Sequence, residues 1–334
     1  MRTRFTLIIC TYMRPEPLLK LLKSVQTQSL YPDEILIIDG STNDKTREIL
    51  EKNTFENLKY YLVSESERGL TKQRNFGISK VASNSDIVCF LDDDTILDKE
   101  YFKNIIATYI EKPDALGVGG YISNEVYWNR VQNEEDVKIE NFYFDGYKRR
   151  DGFRFILRKK IGLDSDKPPG FLPDFSHGRS IGFLPPSGKT YQVEQLMGGV
   201  SSFRISVFEE FQFSHYFEGY GLYEDADFTL RLSKKGKLYI NTNAKLGHFH
   251  NESGRPNKYK YGKMVVRNGW YVWRIKNPNP NFKARVKWNL ITLLLIVIRF
   301  SNIFTTQKRL EAFTESMGRI MGWLSLFIDR PKQQ

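Results

Sequence analysis

The sequence predicts an α/β fold: a mostly parallel, Rossmann-like sheet with flanking helices, followed by a helical C-terminal region. Three observations predict it. Over the first 122 residues, short apolar runs of strand length alternate with stretches of helical period. The unusual polar residues of this part fall where those runs end, on the rim where parallel sheets bind ligands. Beyond residue 258 the pattern is helical.

Residues 5–10 (FTLIIC) read as a buried strand. Pro15 and Pro17 suit a first helical turn, and Leu18, Leu19, Leu22 and Val25 follow at helical spacing. Residues 34–39 (EILIID) form a second strand, after which Ser41 or Thr42 is placed to cap a helix carrying Ile49 and Leu50. Residues 58–63 give a third strand, and 71–81 a helix with Phe76, Ile78 and Val81 apolar. The fourth strand, 86–91, runs into Asp92, Asp93 and Asp94. Asp98 is placed to cap a helix with Phe102, Ile105, Ile106 and Tyr109 on one face, and 115–122 is a further strand. Residues 123–195 lose the period and are rich in Phe, Gly, Pro and basic side chains, which points to an insertion or long loops. Order returns at Met197, with a helix over 224–235 and a strand over 237–240. In the helical region the apolar run 288–300 (WNLITLLLIVIRF) is shorter than the roughly 20 residues of a membrane span, so it reads as a core or an interfacial helix.

Charge is unevenly placed. Of 50 Lys+Arg and 39 Asp+Glu, residues 254–334 hold 16 and 3, which leaves 34 and 36 for residues 1–253. A near-neutral body with a basic tail points to an anionic partner: a membrane surface, a nucleic acid or an acidic substrate. Cys10 and Cys89 lie in apolar runs, which excludes a disulfide scaffold and fits core residues in a reducing, cytoplasmic compartment. The apolar run after Met1 is too short for a signal peptide. No Walker-type loop and no Gly-x-Gly-x-x-Gly follow the first strand, which argues against P-loop NTPases and nicotinamide dehydrogenases.

Three consecutive aspartates after a buried strand repel one another, and a hard divalent cation relieves this. Asp92 and Asp94, two apart, can face one point and bind Mg2+ or Mn2+; the alternative is a solvated acidic turn. His248 and His250 would point the same way in an extended segment, and either can complete a metal site. Glu224 and Asp225 open a helix, as capping carboxylates or as a general base. Arg68, Lys72 and Arg74 lie near a helix N-terminus, as a phosphate-binding group or as a solvated basic face.

Five segments in order resemble the family 2 glycosyltransferases of the GT-A fold: TLIICTYMRP, EILIIDGSTNDKT, ERGLTKQRNFGI, FLDDDT, and GGVSSFRISVFEEF followed by YEDADFTLRL. The resemblance covers about residues 5–250. It implies a nucleotide-diphosphate sugar donor (a UDP-sugar favoured), Mn2+ or Mg2+, and inversion at the anomeric carbon. It implies that Thr11 and Arg14 line the nucleotide pocket and that Asp39, with Ser41 beside it, reads the base. Arg68 and Arg74 would lie near the diphosphate. Asp92, Asp93 and Asp94 form the Asp-x-Asp turn, with Asp92 on ribose and metal and Asp94 on metal. Asp225 is the expected base, positioned by Glu224, and His248 or His250 the last metal ligand. Met13 stands where the family often has Asn, and Gly40 where it often has an acidic residue.

The chain then divides into a GT-A catalytic domain over 1–253 and a basic helical region over 254–334. The domain comprises a nucleotide-sugar half (1–122), the insertion (123–195) and an acceptor and base half (196–253). The expected acceptor is a lipid-linked or surface-polysaccharide glycan. The expected location is the cytoplasm, peripheral on the inner face of the membrane. A nucleotidyltransferase on a similar sheet is the competing enzyme class, although it usually opens with a Gly-rich basic loop. A degenerate glycan-binding module is the non-catalytic alternative. A nucleic-acid partner is not expected, because an acidic rim repels phosphates.

Overall fold

The structure is a computed structural model that describes residues 2–132, 137–175, 177–249 and 256–332. The chain opens β1 (Phe5–Thr11), α1 (Pro15–Gln26), β2 (Glu34–Asp39), α2 (Lys45–Glu51), β3 (Leu58–Leu62) and α3 (Leu70–Ser79). It continues β4 (Ile87–Asp92), β5 (Thr95–Leu97), α4 (Tyr101–Glu111) and β6 (Ala115–Ile122). Next come β7 (Asn129–Arg130), β8 (Asn141–Phe144), β9 (Tyr147–Arg150), α5 (Phe153–Lys160), β10 (Thr190–Val193) and β11 (Val200–Arg204). It closes α6 (Glu224–Leu232), β12 (Lys237–His248), α7 (Lys258–Lys276), α8 (Phe282–Thr305) and α9 (Arg309–Ile328). Two compact units result: residues 1–127 with 186–251, and residues 128–185 with 252–334.

In the first unit the strands run in the order β10-β12-β6-β11-β4-β1-β2-β3, with β5 also paired to β12. The pairs β1–β2, β2–β3, β1–β4 and β6–β12 are parallel, while β11 enters antiparallel between β4 and β6. The strands read as continuous apolar runs because both faces are covered. On one face Phe5, Leu7, Ile9, Ile35 and Ile37 join Leu18, Leu22 and Val25 of α1 and Phe102 and Ile105 of α4. On the other, Phe90, Phe203, Phe208, Phe213 and Phe228 pack together with ring centroids 4.4–6.2 Å apart. Both cysteines are free, Cys89 buried and Cys10 half-buried.

Several expected elements change. Ser41 does not cap α2, since its hydroxyl accepts the Met13 N–H; the helix starts after Asp44. Asp98 lends α4 its backbone carbonyl rather than its side chain. β12 extends to His248, past Asn241, Thr242 and Asn243, whose polar side chains break the apolar pattern at a register shift. Helix α6 is shorter than expected, closing at Leu232.

In the second unit, residues expected as an insertion or long loops hold the antiparallel sheet β7-β9-β8 and α5. The packing of this segment around Arg179 sets arginine on aromatic rings, so no apolar period marks it. The Arg179 guanidinium lies 4.1 Å from Phe142, 4.4 Å from Phe155 and 5.0 Å from Phe183, and it pairs with Asp151 and Asp164. Helices α7 and α9 meet backbone to backbone: a Cβ on Gly262 would lie 2.1 Å from the Glu315 carbonyl, and one on Gly318 2.1 Å from that of Tyr259. The 288–300 run belongs to a 24-residue helix, α8, long and apolar enough to cross a membrane by length and composition.

Candidate active site

The rim of the first unit is formed by the ends of β1, β2, β4 and β12, and the candidate residues meet there. Thr11 ends β1, Asp39 ends β2, Asp92 ends β4 and His248 ends β12. One ligand atom from each of Asp92, Asp94 and His248 can be chosen so that all lie within 4.8 Å of one another. His248 Nε2 is 3.0 Å from Asp94 Oδ1, and Nδ1 is 3.5 Å from Glu125 Oε1. Burial opposes charge on both groups. Even so, His248 and Arg14 hold the Asp94 carboxyl down at about 2, and the carboxylates lift His248 to about 10. Two carboxylates and an imidazole form a hard O,O,N donor set that fits Mn2+ or Mg2+. His250 lies outside the described residues.

Asp93 points the other way. It is buried, accepts from the Thr11 hydroxyl at 2.7 Å and from Arg14 Nη1 at 2.6 Å, and burial pushes its carboxyl up to about 7. Arg14 spans two aspartates, since its Nη2 donates to Asp94 at 2.9 Å. Asp39 is fully buried, accepting from the Ser41 N–H at 2.8 Å and the Tyr60 hydroxyl at 2.9 Å. Ser41 in turn anchors Met13, whose φ of 58° is left-handed. Gln73, which the sequence reading passed over, donates to the Thr11 and Ile38 carbonyls and so fixes the ends of β1 and β2 together. An amide between basic residues carries no sequence signal for that role.

Arg74 is buried beneath the rim. It pairs with Glu224 and lies 3.7 Å from Asp92, so one guanidinium joins the β4 end to the α6 start. Burial pushes Glu224 up to about 8 against the pull of Arg74, and its direct contact with the Arg74 guanidinium makes it a partner of Arg74 rather than a free base. Asp225 is half-buried at the first turn of α6, accepting from the Gly198 N–H at 3.1 Å and its neighbour Ala226 N–H at 2.7 Å. Desolvation raises its pKa, and those two N–H groups act against the rise. The start of α6 is set by Tyr223 at φ 69°. Arg68 forms no ion pair among the described residues and has a buried Nε without a partner, while Lys72 pairs with Glu218.

Gly198 and Gly199 explain why a glycine pair lies between the acidic groups. A Cβ on Gly199 would fall 2.0 Å from the Asp92 carboxylate, and one on Gly198 2.5 Å from Arg74 Nη1. Bare backbone is the only surface that fits between the charged side chains.

A parallel sheet widened by an antiparallel β11, with an acidic turn ending β4 and a carboxylate opening α6, defines the GT-A class of glycosyltransferase folds. Residues 6–169, just under half of the chain, match the family described as glycosyl transferase family 2. It is 25% identical over 144 residues to glucosyl-dolichyl phosphate glucuronosyltransferase of Haloferax volcanii, covering 42% of this chain and 44% of that protein. It is 26% identical over 176 residues to GalNAc(5)-diNAcBac-PP-undecaprenol beta-1,3-glucosyltransferase of Campylobacter jejuni, covering 49% of this chain and 54% of that one. The chain therefore spans about half of these relatives or less. Its fold is similar to GalNAc-T7, crystallised with UDP, GalNAc and Mn2+, at a TM-score of 0.52 and 15% identity over 83% of this chain and 50% of that one.

Proposed function

We propose that the chain moves a sugar from a nucleoside-diphosphate donor to an acceptor hydroxyl, with inversion and with a divalent cation bound. The observation that carries this reading is the grouping of Asp92, Asp94 and His248 within 4.8 Å, beside a separate carboxylate, Asp225, on α6. Asp92, Asp94 and His248 would hold Mn2+ or Mg2+, which supplies positive charge against the departing diphosphate. Thr11, Arg14, Asp39 and Ser41 shape the pocket for the nucleoside, and Arg68, without an ion pair among the described residues, supplies a cation for phosphate oxygens. Asp225 takes the acceptor proton as the hydroxyl oxygen bonds to the anomeric carbon and the bond to the diphosphate breaks. Its raised pKa suits a base working near neutrality. Arg74 and Glu224 position Asp92 and α6.

The UDP of the structural neighbour favours a UDP-sugar donor. The lipid-linked glycans in the relatives' names favour a lipid-linked acceptor, used from the cytoplasmic face of a membrane. The test is calorimetric binding of UDP, GDP, dTDP and CMP, each with and without Mn2+. UDP binding that needs Mn2+ is expected, and Asp94→Ala weakens that Mn2+-dependent binding. Absence of binding by all four nucleotides overturns the reading.

A further inference from the structure

The second unit holds a cavity of about 100 Å3, the space of roughly three waters, where the end of α7, the start of α8 and the end of α9 meet. Four of the chain's five tryptophans line it: Trp270, Trp273, Trp288 and Trp323. So do three arginines: Arg274 of α7, Arg285 of α8, and Arg330, which lies just past the end of α9. None of the three has a carboxylate partner among the described residues. Each is fixed by a backbone carbonyl instead: Arg274 by Pro278, Arg285 by Pro280 at 3.0 Å, and Arg330 by Leu326 at 3.0 Å. Arg274 Nε is buried without a partner. Burial, then repulsion from Arg285 and Arg330, lowers the Arg274 pKa, as expected where cations gather without an anion.

Beside this cavity α8 carries an unpartnered apolar stripe. Val286, Leu290, Leu293, Val297, Phe300 and Phe304 recur at intervals of four and three, and all are exposed. Lys283 and Lys287 lie at the N-terminal end of the stripe, while Arg299 is paired with Glu315 at 2.8 Å. Burying it against the same face of a second copy would bring like charges together, whereas an anionic leaflet complements them. Trp270 and Trp323 are half-buried, the amphipathic placement that a membrane interface favours, while Trp273 and Trp288 pack into the core.

We infer that the Arg274–Arg285–Arg330 cavity binds the phosphate of an anionic membrane lipid, and that this contact seats the outer stripe of α8 in the leaflet. The inference deepens the membrane part of the proposed function but stands on residues that take no part in the transfer site.

The test is sedimentation of the full chain with phosphatidylcholine vesicles, with and without phosphatidic acid. Partition onto the vesicles containing phosphatidic acid is expected. It should fall about fivefold per arginine and about a hundredfold in the triple Arg274→Gln, Arg285→Gln, Arg330→Gln variant. A circular dichroism spectrum and urea midpoint matching wild type show that each variant is folded, and Mn2+-dependent nucleotide binding in vesicle-free buffer tests the transferase reading separately. Should the triple variant fail to fold, Leu293→Gln with Val297→Gln, at exposed positions, must also abolish partition. An equal loss from Lys260→Gln, Lys263→Gln and Lys332→Gln would mean diffuse charge and overturn the cavity. Release of the chain by inorganic phosphate alone would make this a free-phosphate site. A stripe-dependent dimer that ignores vesicles would make the face a self-interface, and either result overturns the inference.

Discussion

At Gly199 a single methyl group would collide with the Asp92 carboxylate at 2.0 Å. Gly199→Ala should therefore displace Asp92 and weaken Mn2+-dependent nucleotide binding at least about tenfold, with about 1–3 kcal/mol lost to overpacking. Titration calorimetry and urea unfolding check the two effects. Asp225→Asn keeps the shape of the site and removes the proposed base. The expected fall in kcat is about 10²–10⁴-fold, with nucleotide binding within twofold of wild type. Because burial raises the Asp225 pKa, acid protonates it and stops the reaction at a higher pH than an unperturbed carboxylate would. The acid limb of the pH–rate profile should reflect that, and Asp225→Asn should abolish the limb in the residual activity. At this scale the sequence was informative, since carboxylates and imidazoles carry their chemistry in their identity. Asp93, Gln73 and Arg74 were less legible, because what they do depends on which partner the fold places beside them.

Among the elements, local pattern and long-range pairing diverge. β2 and β6 fall at the residues expected from their apolar runs, because burial on both faces leaves a signal in the strand itself. The insertion of β11 between β4 and β6 leaves no such signal, since it joins residues about 80–120 positions apart. The 123–195 segment hid its strands for another reason: a core of Arg179 on phenylalanine rings has no apolar alternation to read. Helix α8 was cut short in the sequence reading because Lys283, Arg285 and Lys287 interrupt its first turns. The α7–α9 contact yields a prediction at this scale. Gly318→Val forces a branched side chain into a space where a Cβ alone would lie 2.1 Å from the Tyr259 carbonyl. The expected loss is about 3 kcal/mol or more, read as a lower urea midpoint.

For the whole molecule, the charge asymmetry and the ligand site make distinct claims. Residues 254–334 carry 16 basic and 3 acidic side chains, so membrane association should weaken as salt rises from low to physiological ionic strength. Vesicle sedimentation across a salt series measures this. Mn2+ with its preferred nucleotide at a hundred times Kd should stabilise the folded chain by about 2.7 kcal/mol, and a chelator should return it to the unliganded melting temperature.

The late arrival of β11 also has a temporal side. On the ribosome, β4 is complete at Asp92, but the strand that covers its open edge ends only at Arg204, about 110 residues later. At about 5–20 residues per second that interval lasts roughly 6–20 s. For that time an apolar strand with unpaired backbone groups is available to chaperones or to another nascent chain. The strand that completes the catalytic sheet therefore also sets how long each new chain remains vulnerable to aggregation.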